Sequence, residues 1–183
     1  PKIVGQILKI TGPIALPGYN LTLGEDNFLA EIQAEVEYGK NRTQPKTILK
    51  EFGPKLLEKI YSAEPDKWVE IFNVLVASLE SKDVLMHFND LRLQSFVLEK
   101  GFGGEVKDLA EGTDYLMVNL SNVKGSKTDI VTDTSLNLDT KFEEGDVKHK
   151  LSITRKHNGG DHKYGFYNRQ NPAYIRVLVP KGA

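Results

Sequence analysis

The apolar residues of this chain keep two different periods, and the change from one to the other limits what it can fold into. Between residues 66 and 80, Trp68, Ile71, Phe72, Leu75, Val76 and Leu79 recur at three and four, the spacing that sets side chains on one face of an α-helix. Between residues 129 and 142 the period is two. Ile130, Leu136, Leu138 and Phe142 share one face with Thr132, Thr134 and Thr140, while Asp129, Asp133, Asn137, Asp139 and Lys141 take the other. That alternation is the pattern of a half-buried β-strand. The expected fold class is therefore α+β: helices on a small mixed sheet in the first part, antiparallel strands and hairpins in the second. The boundary falls between a helix-rich α/β subregion, 1–112, and an antiparallel β subregion, 113–183.

Smaller signals place the other elements. Residues 25–38 read as an amphipathic helix with Phe28, Leu29, Ile32 and Val36 on one stripe, opened by a capping box of Thr22 and Glu25. A second helix follows Pro45, with Ile48, Leu49, Phe52, Leu56, Leu57 and Ile60 on one face and a kink at Gly53-Pro54. In the helix over 66–80, Trp68, Phe72, Leu75 and Leu79 are expected to form the main helix contribution to the core. Residues 83–88 (DVLMHF) suit a short strand, after which Asn89 caps a brief helix running through Leu98. In GFGG, 101–104, glycine supplies positive φ. Glu144-Gly145-Asp146 turns the long strand back, with Val147, Leu151 and Ile153 on the returning apolar face, and the last strand is 174–179.

A chain of 183 residues fits one domain with two subregions. Twenty-four basic and 25 acidic residues leave a formal charge of −1, which gives no general attraction to nucleic acid or to anionic lipid. Cysteine is absent, which removes disulfides, thiolate zinc sites and thiol nucleophiles together. No stretch approaches the roughly 18 consecutive apolar residues that a membrane span needs.

The loop in DYLMVNLSNVKGSKTD, 114–129, is the chief candidate for chemistry. It leaves a strand into Asn119, Asn122, Lys124, Lys127 and Asp129, small and basic company of the kind that holds phosphates through backbone N–H groups and a lysine. A Walker loop would add two flanking glycines and a helix start. Here a second strand follows, and the reading preferred is a structural connection, with Lys127 pairing Asp129 across the turn and the asparagines tying down backbone groups. His157 and His162 flank a Gly-Gly turn with Asp161 between them but match no zinc spacing. His149 and His87 read as satisfied, partly buried imidazoles. Glu31, Glu35, Glu37, Glu143 and Glu144 read as solvated faces. GFGGE lacks the dinucleotide frame, and no G-x-S-x-G elbow exists. Three N-glycosylation triplets begin at Asn20, Asn41 and Asn119. No catalytic residue, metal site or cofactor is expected.

Five phrases occur in a telling order: TGPIALPGYNLTLGEDNF, KWVEIFNVLVASLESKDVLMHFND, GFGGEV, DYLMVNLSNVKGSKTD and YGFYNRQNPAYIRVLVPKGA. In that order and spacing the chain resembles the domain of unknown function 4012 family over nearly its whole length. The resemblance implies the later portion of a longer extracytoplasmic region of a membrane-anchored prokaryotic protein, with its transmembrane helix upstream. The abrupt start, PKIVGQILKITGPI, fits that expectation. Implied partners are cell-wall glycan, a polyprenyl-linked lipid or an envelope protein, with the membrane reached only through the upstream anchor. The implied role is a non-catalytic binding or structural module.

The first part is also similar to the LytR-CpsA-Psr family, which transfers glycopolymers to the cell wall and grips a pyrophosphate with arginines on a helix. ITGPIAL and LGEDNFLAEIQAEVE occupy the corresponding places. Where that helix would offer paired arginines, this one offers Gln33, Glu35 and Glu37, and carboxylates repel a pyrophosphate. The alternative implied is a divergent phosphotransferase.

Overall fold

The chain opens with a helix that the periodic reading passed over. In the computed structural model, which describes residues 2–41, 43–105, 113–143 and 145–180, α1 is Lys2–Thr11 and buries Gly5, Ile7 and Leu8. Gly12 ends it at φ 84, its N–H reaching the Leu8 carbonyl at 2.8 Å, a left-handed stop that glycine adopts without strain. Lys59 Nζ caps the Thr11 carbonyl at 2.9 Å, placing a cation at the negative end of the helix dipole.

Two units follow one another, Pro1–Asp108 and Leu109–Ala183; the expected boundary at 112 lies outside the described residues. In the first unit, β1 (Ile14–Leu16) and β2 (Leu21–Leu23) form an antiparallel pair with Ile14 opposite Leu23. α2 (Phe28–Tyr38), α3 (Thr47–Tyr61), α4 (Pro65–Glu80) and α5 (Leu91–Glu99) complete it. Leu8, Ile14, Leu16, Leu23, Phe28, Ile32, Ile48 and Phe52 close one core, with the Phe28 and Phe52 rings stacked at 6.5 Å. Each such side chain contributes about 1.5–3 kcal/mol by leaving water. Strands β1 and β2 alternate buried and exposed positions because one face rests on this core.

The chain is α+β, as the two periods imply, but several local expectations need correction. The sheet of the first unit is two-stranded and antiparallel. α2 starts at Phe28, and no capping box forms: Asn27 Oδ1 accepts from Gly24 N–H at 2.8 Å, while Glu25 pairs with Lys9 at 3.3 Å. α3 runs through Pro54 as a single helix, as the sequence reading also has it; the proline removes one donor, at an exposed position where water can take the freed carbonyl. Residues 83–88 form no strand: Asp83 and Val84 lie in a bend, and Met86 N–H to the Phe102 carbonyl at 2.9 Å is a single bridge. His87 is exposed. Asp90, one residue after Asn89, caps α5 by accepting from Arg92 and Leu93 N–H.

The largest correction concerns α4. It lies on α1 and buries Ile71 and Ser78, while Trp68 is 40% and Phe72 63% exposed and Leu75 is exposed with them. The apolar arc of this helix is wider than the surface offered to it. The buried Ser78 is accommodated because its hydroxyl turns back to the Val74 carbonyl at 2.7 Å.

In the second unit, β3 (Met117–Asn122) pairs antiparallel with β6 (Ala173–Leu178), and β4 (Thr132–Glu143) pairs with β5 (Asp146–His157). Gly145 turns the hairpin at φ 92; Glu144 of the expected turn lies outside the described residues. The register puts Leu136 against Ile153, Leu138 against Leu151 and Phe142 against Val147, so the apolar face is the one the alternation predicts. The strand is not half-buried, however: Leu138 is 43% and Phe142 82% exposed. A two-stranded ribbon brings no second layer to cover that face.

What this unit does bury is an aromatic knot in the loop before β6. Phe166 and Tyr167 are buried, the Phe166 ring meeting Tyr164 at 5.5 Å and Tyr167 at 4.5 Å, with His162 against Tyr167 at 4.4 Å. His162 Nδ1 accepts the Tyr164 N–H at 3.1 Å, so this ring is part of the knot and not a hairpin tip. A Cβ on Gly159 would collide with the Tyr167 carbonyl oxygen. Burial first, and the neighbouring Tyr164 second, push the Tyr167 hydroxyl above the usual phenol value.

Candidate functional site

The loop at 119–129 folds on itself. After β3, Asn122 Nδ2 donates to the Ser126 carbonyl at 2.8 Å and to Asp129 Oδ2 at 3.1 Å, while Asn122 Oδ1 accepts the Lys124 N–H at 3.2 Å. Gly125 sits at φ 68, and a 3₁₀ turn, Lys127–Val131, leads into β4. The carboxylate of Asp129, which the sequence pairs with Lys127, reaches beyond the turn as well. It accepts from Asn171 Nδ2 at 2.8 Å and stands 3.7 Å from Arg155 Nη2. Asn119 lies apart, its Oδ1 accepting from Ser121 Oγ at 3.2 Å and from Arg176 Nη2 at 3.3 Å across the β3–β6 pair.

Of the candidate anion ligands, then, the structure gathers Asn122, Asp129 and the backbone of Lys124, and leaves Asn119 elsewhere. Lys127 is engaged in an interaction of its own. A carboxylate lies in the middle of the turn and consumes its amide donors. That arrangement ties β3, β4 and the loop before β6 together.

A second feature of this unit has the shape of a ligand site. A groove of about 690 Å³ is walled by Leu138, Val147 and Leu151 from the hairpin and by Leu116, Val177 and Val179 from the β3–β6 side. These positions meet because the inward residues of β4 and β5 share one pleat face, as Leu138 and Leu151 do in register. The carboxylate and imidazole on its wall are Asp114 and His149, joined at 2.9 Å between Oδ2 and Nε2. The other imidazole nitrogen, Nδ1, lies 2.9 Å from Thr140 Oγ1. In the neutral ring Nε2–H donates to Asp114 and Nδ1 accepts the threonine hydroxyl. Carboxylate, imidazole and hydroxyl in a row resemble a nucleophile relay, but Thr140 is exposed and does not line the groove. The relay holds His149 in place and aims nothing at a bound molecule.

Sequence reasoning missed the groove. His149 on the apolar face beside Thr140 was a usable signal, since an ionisable ring among aliphatic neighbours needs partners. Asp114 gave none, lying a whole strand pair away in sequence. Among the described residues, no three His, Asp or Glu side chains are arranged to hold a metal ion, and no helix is long and apolar enough to cross a membrane. No family model, curated protein or solved structure matches this chain.

Proposed function

We propose that this chain is a non-catalytic binding module of the prokaryotic cell envelope, outside the cytoplasmic membrane, and that its second unit takes the hydrocarbon part of a polyprenyl-linked or similar lipid. The observation that supports this is the groove. Its walls are mainly aliphatic, its volume of about 690 Å³ falls in the range of roughly 300–1,000 Å³ common to small-molecule sites, and its Asp114–His149 pair is already internally satisfied. A wall glycan would require hydrogen-bonding groups along the walls, so the apolar lining favours the lipid among the implied partners. The extracytoplasmic placement rests on the resemblance to the domain of unknown function 4012 family. Against the phosphotransferase alternative stand Glu35 and Glu37 on α2, where a clamp would carry arginines.

A fluorescent prenyl alcohol titrated into the folded chain tests this reading. Saturable binding is expected, weakened at least roughly tenfold by Leu151→Arg, which places a charge in the groove, and unchanged by Phe72→Arg in the first unit. Absence of saturable binding, or binding indifferent to Leu151→Arg, overturns the lipid site.

A further inference from the structure

At the other end of the same ribbon face, past Ile153, the hairpin carries a different kind of cavity. Arg155, opposite Thr134 in register, has a side chain only 18% exposed. Its Nε is buried and has no hydrogen-bond partner. Its two terminal nitrogens share a single acceptor, Asn171 Oδ1, at 3.4 and 3.3 Å, long for hydrogen bonds. Asp129, the nearest carboxylate, stands at 3.7 Å and spends its oxygens on Asn122 and Asn171. A guanidinium offers five donors in a planar fork. This one is held in position with most of that capacity unused.

The space beside it is a cavity of about 360 Å³, lined also by Arg169, His157, Asn168 and Gln170. No carboxylate is among its lining residues, and Arg169 makes no ion pair among the described residues. Two guanidiniums, an imidazole and three amides thus line one cavity, and the carboxylate nearest Arg155, that of Asp129, stands outside the lining at 3.7 Å with its oxygens already accepting from Asn122 and Asn171. Half-burying the Arg155 guanidinium with its counter-charge at 3.7 Å and its Nε unpaired leaves it poorly compensated, and a bidentate oxyanion is the partner whose geometry matches the fork.

We propose that this cavity binds a compact oxyanion, a phosphate monoester or a carboxylate group, gripped by Arg155 and Arg169 with His157, Asn168 and Gln170 as further donors. It is a site separate from the apolar groove and does not rest on the lipid reading. It also differs from the loop candidates: Lys124 and Lys127 are not in its wall, and Asp129 stands beside it, 3.7 Å from Arg155 and bonded to Asn171.

The test is a calorimetric and NMR titration of the whole chain with sodium phosphate and, separately, sodium glucuronate, against chloride at equal ionic strength. Saturable binding of at least one of them is expected, with side-chain shifts at Arg155 and Arg169. Arg169→Ala, at an exposed position, should weaken it roughly tenfold, while Lys124→Ala leaves it within about twofold. Arg155→Lys should weaken it as well, because an ammonium does not reproduce the fork. Phosphate alone or glucuronate alone names the group recognised. If neither anion saturates the folded protein, or if Arg169→Ala binds as tightly as the parent, the site does not exist. Should Arg155→Lys fail to fold, Arg169→Ala decides alone.

Discussion

The first unit closes on itself and the second does not. Eight apolar side chains drawn from α1, β1, β2, α2 and α3 fill one core in the first, whereas the strands of the second carry no buried residue and, among the described residues, its burial is confined to Thr128, Gly159, Phe166 and Tyr167. Helices can enclose a small core from several sides. A pair of two-stranded ribbons cannot, because each ribbon has one apolar face and supplies no layer to cover it. The two units therefore hold their shape by different means, hydrophobic enclosure in one and a polar and aromatic loop assembly in the other.

The contrast is broken most severely in the first core. Phe52→Ala, at a position 6% exposed and stacked on Phe28, should cost about 3–5 kcal/mol, read as a fall in the denaturant midpoint of the first unit's helical signal. A cost near zero would mean that this core is not what stabilises the unit. Next comes Gly159→Ala. A methyl group there meets the Tyr167 carbonyl and Val131, and the strain should cost about 1–3 kcal/mol, seen in the near-ultraviolet signal of the aromatic knot while the first unit's helicity stays unchanged.

Smaller effects sharpen the comparison. Trp68→Ala on α4 and Leu138→Ala on β4 should each cost about 1 kcal/mol or less, since both side chains keep much of their surface in water; a loss like that of Phe52→Ala would show that these faces are covered in solution. Alkaline pH should separate the units last and least. Tyr167 titrates above its ordinary value when folded, so the folded state holds the phenol proton more tightly. Its contribution is complete below the unfolded value of about 10 and is lost as pH rises through the higher folded one. Unfolding monitored from pH 8 to 11 should show the second unit weakening above about 10, and Tyr167→Phe should flatten that dependence.

The kind of each long element was readable because backbone geometry alone sets the period: α3, α4 and the β4–β5 hairpin all follow from spacing. Which face each element buries was readable on α2 and α3, where Phe28, Ile32, Ile48 and Phe52 are buried as their stripes imply, but only in part on α4. On α4 the apolar arc pointed to Ile71, Trp68 and Phe72, yet Ile71 and Ser78 are the buried positions, because burial depends on the neighbour and α1 had not been recognised. The same holds at the candidate loop. Asn122 and Lys124 could be placed in a turn from composition, but the Asp129 contacts with Asn171 and Arg155 join residues far apart in sequence, as do the walls of the groove. The α1 helix itself was hidden by Gly5, a poor helix former, at a position where a Cβ would press on the Phe28 ring at 3.3 Å.

The pairing of β3 with β6 carries a consequence for how the protein is made. β4 and β5 are joined by a tight turn and can zip as soon as both have left the ribosome, a local event of microseconds. β3 must wait. Its partner begins at Ala173, after the hairpin and the aromatic loop have been synthesised, a delay of roughly three to ten seconds at ordinary translation rates. During that interval Met117, Val118 and Leu120 stand on an unpaired edge, while the first unit, encoded upstream, has all its core residues in hand. Synthesis order thus leaves the nascent chain with a finished half and an open strand, the form in which a holdase would meet it.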